Sequence, residues 1–277
     1  QSLQADIIVS NKVVVDANTI NSSAKLKLIC IAATGTNNVD LAAAAKRGVP
    51  VCNVRNYATA SVVEHVFSMM LCLARSLPQY IQAVEHSGWQ ESNTFCMLDY
   101  PIMELAGRTL GIIGCGELGS AVAAMGNAFG MQVLMAERRG EPVRPGRTPF
   151  AEVLTRADII SLHCPLNADT QNLIGAVELG CMKQDALLIN TARGGIVNES
   201  ELADALLSGE IGGAALDVLA EEPPCTGNPL LSLSLPNLII TPHIAWASST
   251  SRQRLVDEIA ANIRAFLDGK PRNVVGN

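Results

Sequence analysis

A small set of residues in this chain could do chemistry together. Gly114-Cys-Gly-Glu-Leu-Gly119 is a G-x-G-x-x-G turn between an apolar run and a helix-forming stretch, the setting in which that pattern holds a dinucleotide. Gly114 permits the tight turn, Gly116 leaves space for a pyrophosphate that a Cβ would obstruct, and Gly119 lets helix and strand pack closely. The helix that follows offers free N–H groups and a positive dipole end to the phosphates. Glu137 closes the next apolar run, at about the distance of an acidic residue that grips the adenosine ribose. Arg193 is a permanently charged fork suited to a carboxylate or a polarised carbonyl. His243 can give a proton to a carbonyl oxygen while a hydride arrives at the carbon. Glu222, in Ala220-Glu-Glu-Pro-Pro224, can pair with His243 and favour its imidazolium. Taken singly, each has a plainer reading: an ordinary glycine turn, a structural arginine, a surface glutamate, a helix-capping histidine.

Positioning such residues takes a scaffold, and the spacing of apolar runs supplies one. Residues 109–113 and 132–136 read as buried strands around the glycine turn. Four more runs each end in something polar: 158–162 at His163-Cys164-Pro165, 186–190 at Thr191-Ala-Arg193, 213–216 at Asp217, and 238–241 at Pro242-His243. Helices are expected between them, near 149–156, 176–180 and 199–208, the last stopped by Gly209. That makes about six parallel strands of a doubly wound α/β sheet, where ligands bind beyond the carboxyl ends. Glu137, Cys164, Arg193, Asp217 and His243 are therefore expected to face one crevice.

The first fifty residues alternate strand and helix and read as part of a smaller α/β domain. Within it, Thr34-Gly35-Thr36 is either plain connection or a loop whose N–H groups hold an anion. Residues 61–83 read as one long helix, with Ser61 as N-cap, Glu64 completing a capping box and Pro78 as a kink. Its first half is apolar nearly all round, so it is expected between two domains or at a subunit interface. His65 and His86 read as a packed and a solvated histidine. Residues 249–267 form a last amphipathic helix, expected to return to the first domain.

Bulk composition narrows the function. A net charge of −6 gives no reason to expect a nucleic-acid or membrane-surface partner. No apolar run is long enough to span a bilayer and no signal-peptide pattern opens the chain. Eight scattered cysteines, none in a C-x-x-C pair, argue against zinc or a disulfide framework and suit a reducing, cytoplasmic setting.

Several stretches go further: Ala33-Thr-Gly-Thr-Asn-Asn-Val-Asp40, Val63-Glu-His65, Leu105-Ala-Gly-Arg-Thr-Leu-Gly-Ile-Ile-Gly114, Asn190-Thr-Ala-Arg-Gly-Gly-Ile-Val197, Ala215-Leu-Asp-Val218, Glu221-Glu-Pro-Pro224 and Thr241-Pro-His243. Along essentially its whole length the sequence resembles the D-isomer-specific 2-hydroxyacid dehydrogenase family. The resemblance implies that Arg193 binds the substrate carboxylate and carbonyl, that Glu222 orients the histidine, and that His243 is the acid/base. It implies that Thr34 and Gly35 meet the substrate carboxylate and the nicotinamide end. Thr34, Glu117, Leu118, Glu137, Cys164, Thr191, Ala192, Asp217 and Ala245 would be cofactor contacts, several by backbone, beside Gly114, Gly116 and Gly119. Many relatives carry Asp where Glu137 stands and Arg where Glu117 stands. Residues 243–248, His-Ile-Ala-Trp-Ala-Ser, resemble the glycerate dehydrogenase (hydroxypyruvate reductase) branch, and Trp246 reads either as pocket lining or as core.

The expectation is a Rossmann NAD domain over 57–247 and a smaller flavodoxin-like substrate domain from 1–56 and 248–277. That smaller domain would be N-terminally incomplete, its first strand and helix lying ahead of residue 1. The reaction expected is reduction of a small 2-ketoacid by NADH, with hydroxypyruvate favoured, glyoxylate second, and a cleft closing on both. Glu137 favours NAD, whereas Arg138 and Arg139 beside it could accept the 2′-phosphate of NADP. A homodimer is implied. The alternatives are an NADPH-preferring 2-ketoacid reductase and a non-catalytic, NAD-sensing corepressor-like protein.

Overall fold

The computed structural model describes residues 4–276. In chain order the elements begin with β1 (Ile7–Ser10), α1 (Ala17–Ser22), β2 (Leu28–Ile31), α2 (Leu41–Lys46), β3 (Val51–Cys52), α3 (Thr59–Ala74), α4 (Leu77–Glu85) and β4 (Thr109–Ile113). They continue with α5 (Glu117–Ala128), β5 (Gln132–Met135), α6 (Phe150–Arg156), β6 (Ile159–Leu162), α7 (Ala176–Cys181), β7 (Leu187–Asn190), α8 (Glu199–Ser208), β8 (Gly213–Leu216), β9 (Leu238–Ile240), α9 (Ser249–Leu267) and β10 (Val274–Val275). The chain divides into two compact units. One is built from the described residues up to Ala58 and from Trp246 onward, the other from Thr59–Ala245.

The smaller unit carries a sheet of order β1-β2-β3-β10, parallel except for β10. Every residue of β2 is buried, because both faces of the strand are covered. Ile29 and Ile31 point to the side where Ile20 of α1 and Ala44 of α2 pack, and Leu28 and Cys30 to the side of Ile259, Ile263 and Phe266 of α9. Asp16 and Asp40 cap α1 and α2 by accepting from Thr19 N and Ala43 N, satisfying N–H groups that a helix start leaves free. Trp246 meets Tyr57 edge to face at 6.2 Å.

The larger unit carries six parallel strands in the order β5-β4-β6-β7-β8-β9. Strand order reverses at β4, so the crevice that an open α/β sheet offers to ligands lies beyond the carboxyl ends of β4 and β6. Beyond β5, a parallel bridge, Ala136 with Thr148, extends the edge.

The stretch expected as one helix over 61–83 is two. The chain breaks at Ser76, whose backbone is left-handed (φ +47°), and α3 and α4 diverge by 61°. Pro78 does not kink a helix; it sits in the first turn of α4, where its missing N–H costs nothing. Ser61 is not a cap either. The helix starts at Thr59, and the Ser61 hydroxyl donates to the buried carbonyl of Ala245 at 2.7 Å. The apolar girth of α3 is covered within its own unit, by β7, β8 and β9 and by α5, whose following residue Phe129 stacks on Phe67 at 5.0 Å.

Gly119 fixes how α5 meets β4. A Cβ there would stand 2.0 Å from the carbonyl oxygen of Gly114, and backbone cannot step aside as a side chain can. Gly119→Ala is expected to cost about 1–3 kcal/mol, the usual penalty for overpacking. Urea unfolding of the two proteins checks this; an unchanged midpoint would show that the turn relaxes freely.

Candidate active site

The glycine turn opens a groove of about 740 Å³ at the carboxyl ends of β4, β5 and β6. Gly114 holds φ +96°, and a Cβ on it would meet the backbone of His163 and Cys164 at 2.4 Å. Gly116 is the N-cap of α5 without a side-chain cap, and a Cβ on it would meet nothing within 4 Å. That open space beside free helix N–H groups is what a pyrophosphate requires, so these residues fit a dinucleotide. Glu117 opens α5 and accepts from the Thr59 hydroxyl; Leu118 follows, half-buried. Cys164 lines the groove, its thiol pushed by burial to about 11 and so protonated at neutral pH. His163 beside it is half-buried. Its Nε2 meets Ser161 Oγ at 2.9 Å, its Nδ1 is enclosed without a partner, and desolvation lowers the ring to about 4.

Glu137 lines the same groove, but its carboxylate is engaged within the chain. Arg144 donates to it from Nε (2.7 Å), from Nη2 (2.6 Å) and from its backbone N (3.2 Å), and Arg138 N donates at 2.8 Å. Hydrogen bonding to Arg144, then to the Arg138 N–H, holds the carboxyl at about 2 against its burial. Arg139 is drawn away to Glu178 at 3.0 Å.

Arg193, Glu222 and His243 do not line this groove. They stand on three loops after β7, β8 and β9, and hydrogen bonds tie those loops together. Buried Asn190 ends β7 and pins the first loop, donating to Arg193 O at 2.9 Å and accepting from Ala192 N at 3.0 Å. Thr191 is buried with its hydroxyl unpartnered, and Arg193 Nη1 donates to Ala192 O at 2.6 Å. A Cβ on Gly194 would lie 1.8 Å from Leu219 O, so this loop runs directly against the second. Asp217 ends β8. Its carboxylate accepts from Thr241 Oγ1 (2.6 Å), Ile244 N (2.8 Å) and Ala245 N (2.8 Å), with His65 Nε2 at 3.5 Å. Burial pushes its pKa up, but these hydrogen bonds outweigh burial and the net shift is downward. The Asp217 carbonyl accepts from His243 N at 2.8 Å, and His243 is held in a left-handed conformation (φ +55°). Its Nδ1 lies 2.6 Å from Glu222 Oε2, whose other oxygen accepts from Leu219 N at 3.1 Å. His243 Nε2 has no hydrogen-bond partner among the described residues.

Thr34 and Gly35 belong to the smaller unit, in the loop after β2, where Thr34 Oγ1 donates to Val54 O at 2.9 Å. The sequence reading missed Asn190, Thr241 and Arg144 as positioning residues. Asn190 and Thr241 close apolar runs just as the chosen residues do, so position alone could have flagged them. Arg144 sits in a Gly/Pro-rich loop whose path has no periodicity to follow.

Residues 67–245 match the model of the D-isomer specific 2-hydroxyacid dehydrogenase NAD binding domain. The chain belongs to that family. It is an NAD-dependent 2-hydroxyacid dehydrogenase, as the resemblance implied. It is 49% identical to a glycerate dehydrogenase of Methylorubrum extorquens over 98% of this chain and 85% of that one. It is 36% identical to a hydroxypyruvate reductase of Blautia hydrogenotrophica over 98% of this chain and 85% of that protein. Among solved structures it is similar to D-lactate dehydrogenase from Aquifex aeolicus complexed with NAD and lactic acid. There the TM-score is 0.83 at 31% identity, over 96% of this chain and 84% of that one.

His163 makes this site a source of acid sensitivity. An unfolded chain's histidine takes up a proton near pH 6.5, whereas the folded ring does so only at about 4. Between those values the unfolded state binds the extra proton, so stability falls as pH falls. His163→Asn is expected to flatten the decline of Tm across that window. Equal slopes for the two proteins would reject this origin.

Proposed function

We propose that the protein reduces hydroxypyruvate to D-glycerate with NADH, glyoxylate being a second substrate. The observation that carries the reading is the 2.6 Å contact of His243 Nδ1 with Glu222 Oε2, with His243 Nε2 left without a partner. A carboxylate at Nδ1 fixes the tautomer and stabilises the imidazolium, so that the proton available for transfer is the one on Nε2. When bound, NADH supplies a hydride to the carbonyl carbon. Arg193 holds the substrate carboxylate and polarises the carbonyl, and His243 Nε2 gives a proton to the carbonyl oxygen as charge develops there. In the reverse direction neutral His243 takes that proton back. Gly114, Gly116, Gly119 and the first turn of α5 receive the pyrophosphate. Thr191, Ala192, Asp217 and Ala245 shape the loops that would hold the nicotinamide end. Support for hydroxypyruvate comes from the relatives named glycerate dehydrogenase and hydroxypyruvate reductase. The eight free cysteines fit a reducing cytoplasm.

The homodimer belongs to the same reading, and we place its surface on α4 and the segment after it. Exposed apolar side chains gather on α4 and the segment after it, among them Leu77, Ile81, Val84, Trp89 and Phe95. Leu77, Ile81 and Val84 share one face of α4 by their spacing, exposed apolar side chains close together suit an interaction site, and a second copy is the occupant the family resemblance implies. Sedimentation should show a dimer that Ile81→Glu shifts toward monomer; a monomeric parent protein would dismiss it.

Initial rates of NADH oxidation with hydroxypyruvate, glyoxylate, pyruvate and 3-phosphohydroxypyruvate test the substrate. Hydroxypyruvate should give the highest kcat/KM. His243→Ala should lower kcat by roughly a hundred- to ten-thousand-fold, the span of a general acid, with NADH still bound. Turnover unchanged by that substitution would sink the acid/base assignment.

A further inference from the structure

We propose that Arg144 sets the cofactor specificity of this chain: by occupying the Glu137 carboxylate it withdraws the ribose acceptor and, with Arg138 and Arg147, makes the groove accept the 2′-phosphate of NADPH alongside NADH. The proposal rests on the dinucleotide groove described above and not on the identity of the ketoacid. An ionised carboxylate has about four lone-pair sites. At Glu137 all are met, by Arg144 Nε, Nη2 and N and by Arg138 N. Ribose hydroxyls arriving as donors find no free site there without displacing the fork. The pair is also electrically closed. The carboxylate that would repel a 2′-phosphate is matched by a guanidinium bound bidentately, the strongest geometry for that pair. Glu137 is buried beneath while the Arg144 side chain is 60% exposed, so it is arginine that faces the groove.

A second observation lies on the same loop. Arg147 also lines the groove, and its Nη1 is enclosed with no hydrogen-bond partner among the described residues. Enclosed polar groups in native proteins have partners, and an anion in the groove would supply this one. Arg139, the neighbour that the sequence suggested beside Arg138, is held by Glu178 and is not available. The groove wall as a whole presents four arginines (138, 139, 144 and 147) against three carboxylates, Glu137, Glu141 and Asp169. With Arg144 paired to Glu137 and Arg139 to Glu178, Arg138 and Arg147 are the wall's arginines left for a 2′-phosphate.

The test uses binding of two cofactor fragments, read by isothermal titration calorimetry, so it does not depend on turnover. Adenosine 5′-monophosphate probes the plain ribose; adenosine 2′,5′-bisphosphate adds the 2′-phosphate. The intact protein should bind the bisphosphate at least as tightly as the monophosphate. Arg144→Gln should weaken the bisphosphate tenfold or more and leave the monophosphate equal or tighter, because Glu137 is released to the ribose. Arg147→Gln leaves the Glu137 fork in place, so it reads the phosphate contact even if Arg144→Gln folds poorly; it too should weaken the bisphosphate selectively. The KM ratio of NADPH to NADH should move the same way. Tenfold tighter binding of the monophosphate by the intact protein, or an unchanged fragment ratio in both variants, overturns the proposal. If hydroxypyruvate is not turned over while the bisphosphate binds and both variants lose it, the substrate reading fails and this one stands.

Discussion

The buried carboxylate of Asp217 is the constraint on which the loops after β8 and β9 depend. It stands where β8 ends and takes donors from Thr241, Ile244 and Ala245 at 2.6–2.8 Å, with His65 of α3 close by. Its own backbone continues the tie, accepting from His243 N and donating to Asn190 O. One side chain thus sets the path of the chain on either side of His243. A carboxylate can do this because it accepts several bonds at once, and N–H groups at a sheet's end have no ladder partner of their own. The left-handed backbone of His243 costs energy that the surrounding bonds must over-determine. Without that carboxylate, two enclosed N–H groups and a hydroxyl would lose their acceptor together.

A parallel sheet explains why such tethers recur. Its strands end at the same edge, and each leaving segment needs its backbone satisfied before it can form a loop. Asn190 does for the Arg193 loop what Asp217 does for the His243 loop. The residues that end the strands are therefore also the ones that aim the chemistry. Gly194 adds a steric version of the same constraint, since only a residue without Cβ can lie against the Leu219 carbonyl.

This regularity is why so much was legible in the sequence. Apolar runs of strand length closing on Asp217 and near Arg193 and His243 place those residues at one edge of the sheet, and Gly114, Gly116 and Gly119 fall at the β4–α5 turn as their spacing requires. What escaped was set by tertiary contact. A capping pattern at Ser61 was overridden because its hydroxyl has a buried carbonyl to satisfy. The all-round apolar face of α3 told only that it is covered, and its own sheet and α5 are among what covers it. The state of Glu137 depended on Arg144, seven residues away through a loop whose conformation no periodicity encodes.

The acidic residues of the larger unit divide the work by what they bind. Asp217 is satisfied mainly by neutral donors fixed in the backbone and by one hydroxyl, so it contributes shape. Glu137 is satisfied by a guanidinium, which cancels its charge and leaves little for a ligand. Glu222 is different: one oxygen takes the Leu219 N–H and the other takes His243 Nδ1. Its negative charge is met by a group that itself changes charge in the proposed reaction. A carboxylate locked to arginine, as Glu137 is, could not favour the imidazolium in this way, because its field would already be spent. The geometry locks Glu137 to Arg144 and sets His243 against Glu222.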